Sequence, residues 1–286
     1  IEQFYDTADI GPFPERKKPI SHHLPITFRE DVVGFDEIYS DLSLLKMAVY
    51  APVNYIQPSR LTKYEELYDT KTEGSKGTLR QADRERSLQA LMTTNLLKRL
   101  ESSVEAFRLT LGALDRNIAT MLHAIDRFEA SGGNGRIEDV FNDMDNLETD
   151  DDDLSGLGEF TIGKKIQIEL ADMDIPTWKA DLGGDREIIQ GLLTEMEKVG
   201  VEEDAKLQHL IDVIKQKMAV PLNPGNRKVL IFTAYADTAE YLYRHVAPAL
   251  KAAMDSETGI VTGSGNPKTT LKPCLLYTSD AADDSL

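Results

Sequence analysis

Gly263-Ser264-Gly265-Asn266-Pro267-Lys268-Thr269 sets glycines ahead of a Lys-Thr pair, the residue types that bind nucleotide phosphates. That chemistry needs the spacing G-x-x-x-x-G-K-S/T, because backbone N–H groups must wrap the anion. Pro267 stands where the glycine before the lysine belongs and carries no N–H. The stretch is therefore not expected to hold a nucleotide. Positive charge is concentrated at Arg80, Arg84, Arg86, Lys98, Arg99, Arg108 and Arg116. Such residues can meet nucleic-acid phosphate, where displaced counterions raise affinity. They can equally form a solvated helix face with the intervening Glu85, Glu101 and Glu105. His22-His23 has no third and fourth ligand nearby and reads as a loop, not a metal site. The aspartates of Asp143 to Asp153 lack the loop glycine and terminal glutamate of a calcium-binding hand.

The elements around these residues are mostly helical. Phe35, Ile38, Leu42, Leu45 and Val49 step by three and four, which predicts an amphipathic helix over 35–50 stopped by Pro52. A shorter helix is expected over Thr62 to Tyr68. The longest regular pattern is Leu97, Leu100, Val104, Phe107, Leu111, Leu114, Ile118, Met121, Ile125 and Phe128. It is one long helix or a helical pair with a single apolar seam, stopped by Ser131-Gly132-Gly133. Gly112 marks a possible bend, and a coiled-coil partner is less expected than packing within the chain. The run DMDNLETDDDD repels itself and predicts a flexible acidic loop over 143–158. Trp178, next to Pro176, is expected to anchor a core. Helices follow over Asp185 to Val199 and Asp204 to Met218, then a turn at Pro221, Pro224 and Gly225.

From Arg227 to Gly263 the pattern changes. Lys228 to Phe232 is a short run suited to a strand buried on both faces. Asp237 and Glu240 suit a helix start, with Ala239, Leu242, Val246 and Leu250 on one face and a kink or new first turn at Pro248. Gly259 to Thr262 is a second strand. About thirty residues for the unit fits a right-handed βαβ crossover.

The 286 residues allow one or two domains. A net charge of −17 argues against a generally basic, nucleic-acid-coating surface, though not against a local basic track. No apolar run approaches the roughly 20 residues that span a bilayer, and no signal segment opens the chain, so a cytoplasmic location without membrane partners is the expectation. A single cysteine, Cys274, excludes an internal disulfide.

Three stretches carry a resemblance: KVLIFTAYADTAEYLY, the amino-terminal FYDTADIGPFPERKKP, and NLLKRLESSVEAFRLTL. The first resembles the fourth motif of superfamily-two helicases, and together they are similar to bacterial Swi/Snf-type helicase-like proteins. The resemblance implies an extended lead-out from a first RecA-like lobe over 1–33. A helical inter-lobe region over 34–218 follows, then the start of the second lobe over 219–273. The implied fold is mostly α with a partial α/β unit near the C-terminus. Asp204-Ala205-Lys206-Leu207 is similar to the family's lead-in to lobe two.

Carried over, Thr233 and Tyr235 occupy a turn that contributes to binding the phosphodiester backbone, and Thr262 with Gly263 occupies the end of the next strand. Hydroxyls and backbone N–H groups there suit contacts without sequence information; the plainer alternative is that Thr233 caps a turn and Tyr235 packs. Lys98 and Arg99 join the candidates because they fall in the family-like segment. ATP and magnesium are implied for the parent protein, with DNA as its partner. The phosphate-binding loop and the acidic metal-holding motif would lie in lobe one, upstream of Ile1, and the arginine-bearing sixth motif beyond Leu271. An internal fragment is the expectation, inactive and binding no nucleotide by itself. CLLYTSDAAD resembles a translated sequencing adapter, which makes 274–286 an expected read-through tail. The competing reading is a helical protein-interaction module with a small α/β domain and no enzymatic role.

Overall fold

A computed structural model describes residues 18–68, 70–71, 78–79, 81–132, 168–222, 225–263 and 265–271. Seven helices dominate these residues: α1 Phe35–Leu44, α2 Leu61–Tyr68, α3 Gln81–Ser102, α4 Val104–Ala130, α5 Ile175–Glu197, α6 Ala205–Ala219 and α7 Ala236–Met254. Four two-residue strands accompany them: β1 Thr70–Lys71, β2 Thr78–Leu79, β3 Gly259–Ile260 and β4 Lys268–Thr269. The expected mostly helical class is what forms.

The long apolar pattern is a helical pair. Ser103 adopts extended backbone, and its hydroxyl accepts from the Ala106 N–H at 3.1 Å, so the residue caps α4. Gly112 lies inside the uninterrupted α4. Phe107, Leu111, Leu114, Ile118, Met121 and Ile125 are buried on one stripe of α4 and pack against α5, which contributes Trp178, Leu182, Ile189, Leu192 and Met196 to the same core. The start of α5 precedes the expected Asp185 by ten residues. Asp174 accepts from the Thr177 N–H, and Pro176 sits in the first turn where a missing N–H costs nothing.

The helix expected over 35–50 ends at Leu44. Beyond it, Met47 turns left-handed with φ 49°, and two 3-10 turns, Ala48–Tyr50 and Pro52–Tyr55, replace the α pattern. The cause lies on α5. Asp185 accepts from the N–H groups of Lys46 and Ala48 at 2.7 and 2.8 Å, and Trp178 Nε1 donates to the Ala48 carbonyl at 3.0 Å. Partners 130 and more residues away thus take the polar groups that a continuing helix would have used.

A second core holds α6 to α7 through Leu207, Ile211, Ile214, Tyr241, Val246 and Leu250. It shares no buried residue with the bundle core around α4 and α5. The division between the two apolar cores therefore falls in the turn at 200–204, before α6. Asp204 joins α6 to α7 across the second core. It caps α6 by accepting from the Leu207 N–H at 2.9 Å and takes the Tyr241 hydroxyl at 3.0 Å.

The βαβ crossover is corrected. Lys228 to Phe232 forms no strand, and β3 pairs antiparallel with β4 instead of parallel with 228–232. A strand buried on both faces needs layers over both faces. Here Leu230 and Phe232 are 82% and 89% exposed, and only Val229 packs against the second core. Of the second expected strand, Gly259 to Thr262, only Gly259 and Ile260 pair. Pro248 neither restarts nor ends α7, which continues to Met254.

Candidate functional site

The corner between α3 and α4 meets the first turn of α7. Tyr235 is the N-cap residue of α7, and its side chain does not bond the helix's first N–H groups. Asp237 in the first turn lies 2.9 Å from Arg99 Nη1, where a carboxylate also complements the helix dipole. The Arg99 side chain is only 6% exposed, and its guanidinium sits 4.8 Å over the Tyr235 ring. Its Nε is buried with no partner. The Tyr235 hydroxyl donates to Asn95 Oδ1 at 3.3 Å. Thr238 exchanges hydroxyl hydrogen bonds with Ser102 at 2.7 Å and Ser103 at 2.8 Å. Thr233 Oγ1 accepts from the Tyr235 N–H at 3.3 Å and lies 3.4 Å from Ser102 Oγ.

Thr233, Tyr235, Thr262 and Gly263 line one open groove of about 360 Å³, floored by Leu242 and Val246 of α7. The turn at 233–235 and the stretch after β3 thus face each other. Thr262 Oγ1 accepts from the Gly265 N–H at 3.1 Å. Arg99 joins Tyr235 but points inward, as a structural cation. Lys98 beside it is half-buried on α3. Arg108 is paired with Glu105 at 2.5 Å, so much of the described basic run is already engaged with acids. Arg80 and the side chains of Arg84 and Arg86 lie outside the described residues. So do the amino-terminal stretch to Lys17, the acidic run at 143–158 and the tail at 274–286.

In the sequence, Asn95, Ser102, Ser103, Asp237 and Thr238 do not read as one constellation. The Ser102-Ser103 pair inside an apolar period was the available signal, since hydroxyls favour caps over helix interiors. Lys268, the lysine of the loop-like stretch, lies in β4 and is paired with Glu240 at 2.6 Å. With Pro267 ahead of it, it does not fit a nucleotide phosphate. His22 lies 3.1 Å from His209 across ring nitrogens. Among the described residues no group of three or more ligating side chains could hold a metal ion, and no helix is long and apolar enough to cross a membrane.

A second charged cluster ties the 3-10 turn at Leu170–Asp172 to α2. Asp172 accepts from Lys63 at 2.8 Å and from the Tyr64 hydroxyl at 2.8 Å, with Arg60 at 3.2 Å. Lys63, then Tyr64, hold its carboxyl below the usual carboxylate range, against its own desolvation. A depressed native pKa stabilises the fold above the unfolded value of about 3.9 and is lost as pH falls through the native one. Asp172→Asn should therefore lower stability at pH 7 and flatten the acid limb of the stability–pH curve below about pH 4, measured by urea unfolding across that range. An unchanged acid limb would remove Asp172 from the account.

No family model matches the chain, and no curated protein and no solved structure matches it.

Proposed function

We propose that the chain is part of an ATP-dependent DNA translocase or helicase of the Swi/Snf-like kind, spanning the inter-lobe helices and the opening of the second RecA-like lobe. The observation that carries the reading is a meeting in space. The stretch NLLKRLESSVEAF supplies Asn95, Arg99, Ser102 and Ser103, and the stretch FTAYADTAEY supplies Thr233, Tyr235, Asp237 and Thr238. Two segments that resemble one family, more than 120 residues apart in sequence, form one contact. In this reading Thr233, Tyr235, Thr262 and Gly263 offer hydroxyls and backbone N–H groups to the phosphates of DNA along the groove. ATP and magnesium belong to the parent, in a lobe that this chain does not supply.

Two measurements test the reading. Calorimetry of this chain with ATP and magnesium is expected to give no heat. The full reading frame should encode a phosphate-binding loop and an acidic metal-holding motif upstream of Ile1, and its product should hydrolyse ATP faster when duplex DNA is added. A frame without those motifs would leave the helical interaction module as the answer, with the exposed Leu230 and Phe232 as its contact surface.

A further inference from the structure

The two cores touch through polar groups. On the bundle side stand Asn95, Arg99, Ser102 and Ser103; on the other stand Tyr235, Asp237 and Thr238. Arg244 approaches Glu105 at 3.8 Å, and Lys206 Nζ donates to the Glu101 carbonyl. Each buried cluster is confined to its own side. Covalently, the described chain crosses between them at the turn 200–204, while Ile26 accepts from the Ala205 N–H at 3.2 Å as a further tether. Polar seams of this kind part more readily than apolar ones, because water replaces each lost hydrogen bond.

We infer that the unit of α6, α7 and the β3–β4 hairpin moves as a body on the helical bundle, with the Arg99–Asp237 pair as the latch that holds it closed. Three features suit Arg99 to this role. Its guanidinium binds two groups of the moving body at once, the Asp237 carboxylate and the Tyr235 ring. It is nearly buried when the latch is shut, whereas Asp237 stays 41% exposed and can be hydrated on release. Its Nε has no partner in the closed arrangement, so the shut state leaves one donor unsatisfied and is not over-determined. The seam bonds of Ser102 and Ser103 to Thr238 are hydroxyl pairs that water reproduces. The latch stands on the geometry of the seam and is independent of the activity proposed above.

The test places spin labels at His123→Cys on α4 and Ala253→Cys on α7, both exposed, in a Cys274→Ser background. The unsubstituted seam should give one narrow distance distribution. Arg99→Met and Asp237→Asn should each broaden it and add a longer population, and the double variant should open no further than either single one, because the two residues act as a pair. Far-UV circular dichroism should stay unchanged throughout. Ser102→Ala, which uncovers no charge, provides a milder opening if Arg99→Met does not fold. Narrow, unshifted distributions in Asp237→Asn and Ser102→Ala would overturn the latch, as would a broad distribution before any substitution.

Discussion

Replacing Trp178 by alanine should lower the unfolding free energy by about 3–5 kcal/mol, the range seen when a large buried aromatic side chain is removed. Trp178 is fully buried in the bundle core, rings with Tyr55 at 6.0 Å between centroids, and donates Nε1–H to the Ala48 carbonyl. The substitution leaves a cavity between α5 and the 3-10 turns and strips a buried carbonyl of its donor. Urea unfolding followed by far-UV circular dichroism measures the loss. Trp178→Phe retains most of the volume and loses the hydrogen bond, so it should cost about 1–3 kcal/mol. Equal losses in the two variants would mean that volume is irrelevant there and would contradict the packing account.

Asp185→Ala should cost about 2–4 kcal/mol, chiefly because two backbone N–H groups lose their acceptor. Ala48 is fully buried, so its N–H has no route to water without rearrangement. Burial itself pushes the Asp185 carboxyl above its ordinary pKa, against the pull of the Ala48 and Lys46 N–H groups. The site thus disfavours the ionised form while needing its oxygens as acceptors. Asp185→Asn separates these effects, since one amide oxygen keeps one N–H paired and no charge is buried. It should be less damaging than alanine, in the same unfolding measurement. If alanine is the milder change, the amides of 46 and 48 have found other partners.

The helices were legible because their signal is local. Asp204 suits the start of α6, the apolar steps of three and four from Val104 to Phe128 mark the seam, and Ser131 suits its end. What escaped was set by partners far along the chain. Nothing near Leu45 says that a helix must stop there; the reason is Asp185, whose carboxylate competes for the same N–H groups. Lys228 to Phe232 failed as a strand for the complementary reason. Its composition suits burial on two faces, but composition does not provide the covering layers, and Leu230 and Phe232 remain exposed.

The candidate site was half readable. Thr233, Tyr235, Thr262 and Gly263 face one groove, an arrangement that spacing alone could not establish. Arg99 is a candidate because it falls in the family-like segment, yet its side chain turns away from solvent toward Asp237. A basic residue in an amphipathic helix has the same letter whether it meets phosphate or a carboxylate of the same chain. Only the fold decides which.

The position of α5 also bears on how the chain folds as it leaves the ribosome. The α3–α4 pair is complete at Ala130, but its apolar stripe is covered by α5, which spans Ile175–Glu197. At ordinary synthesis rates of about 5–20 residues per second, that stripe waits about 3–13 s for its cover. Phe107, Leu111 and Met121 therefore stay uncovered on a nascent chain for seconds, long enough for a holding chaperone to bind. Slower translation over the stretch between α4 and α5 would lengthen that interval in proportion.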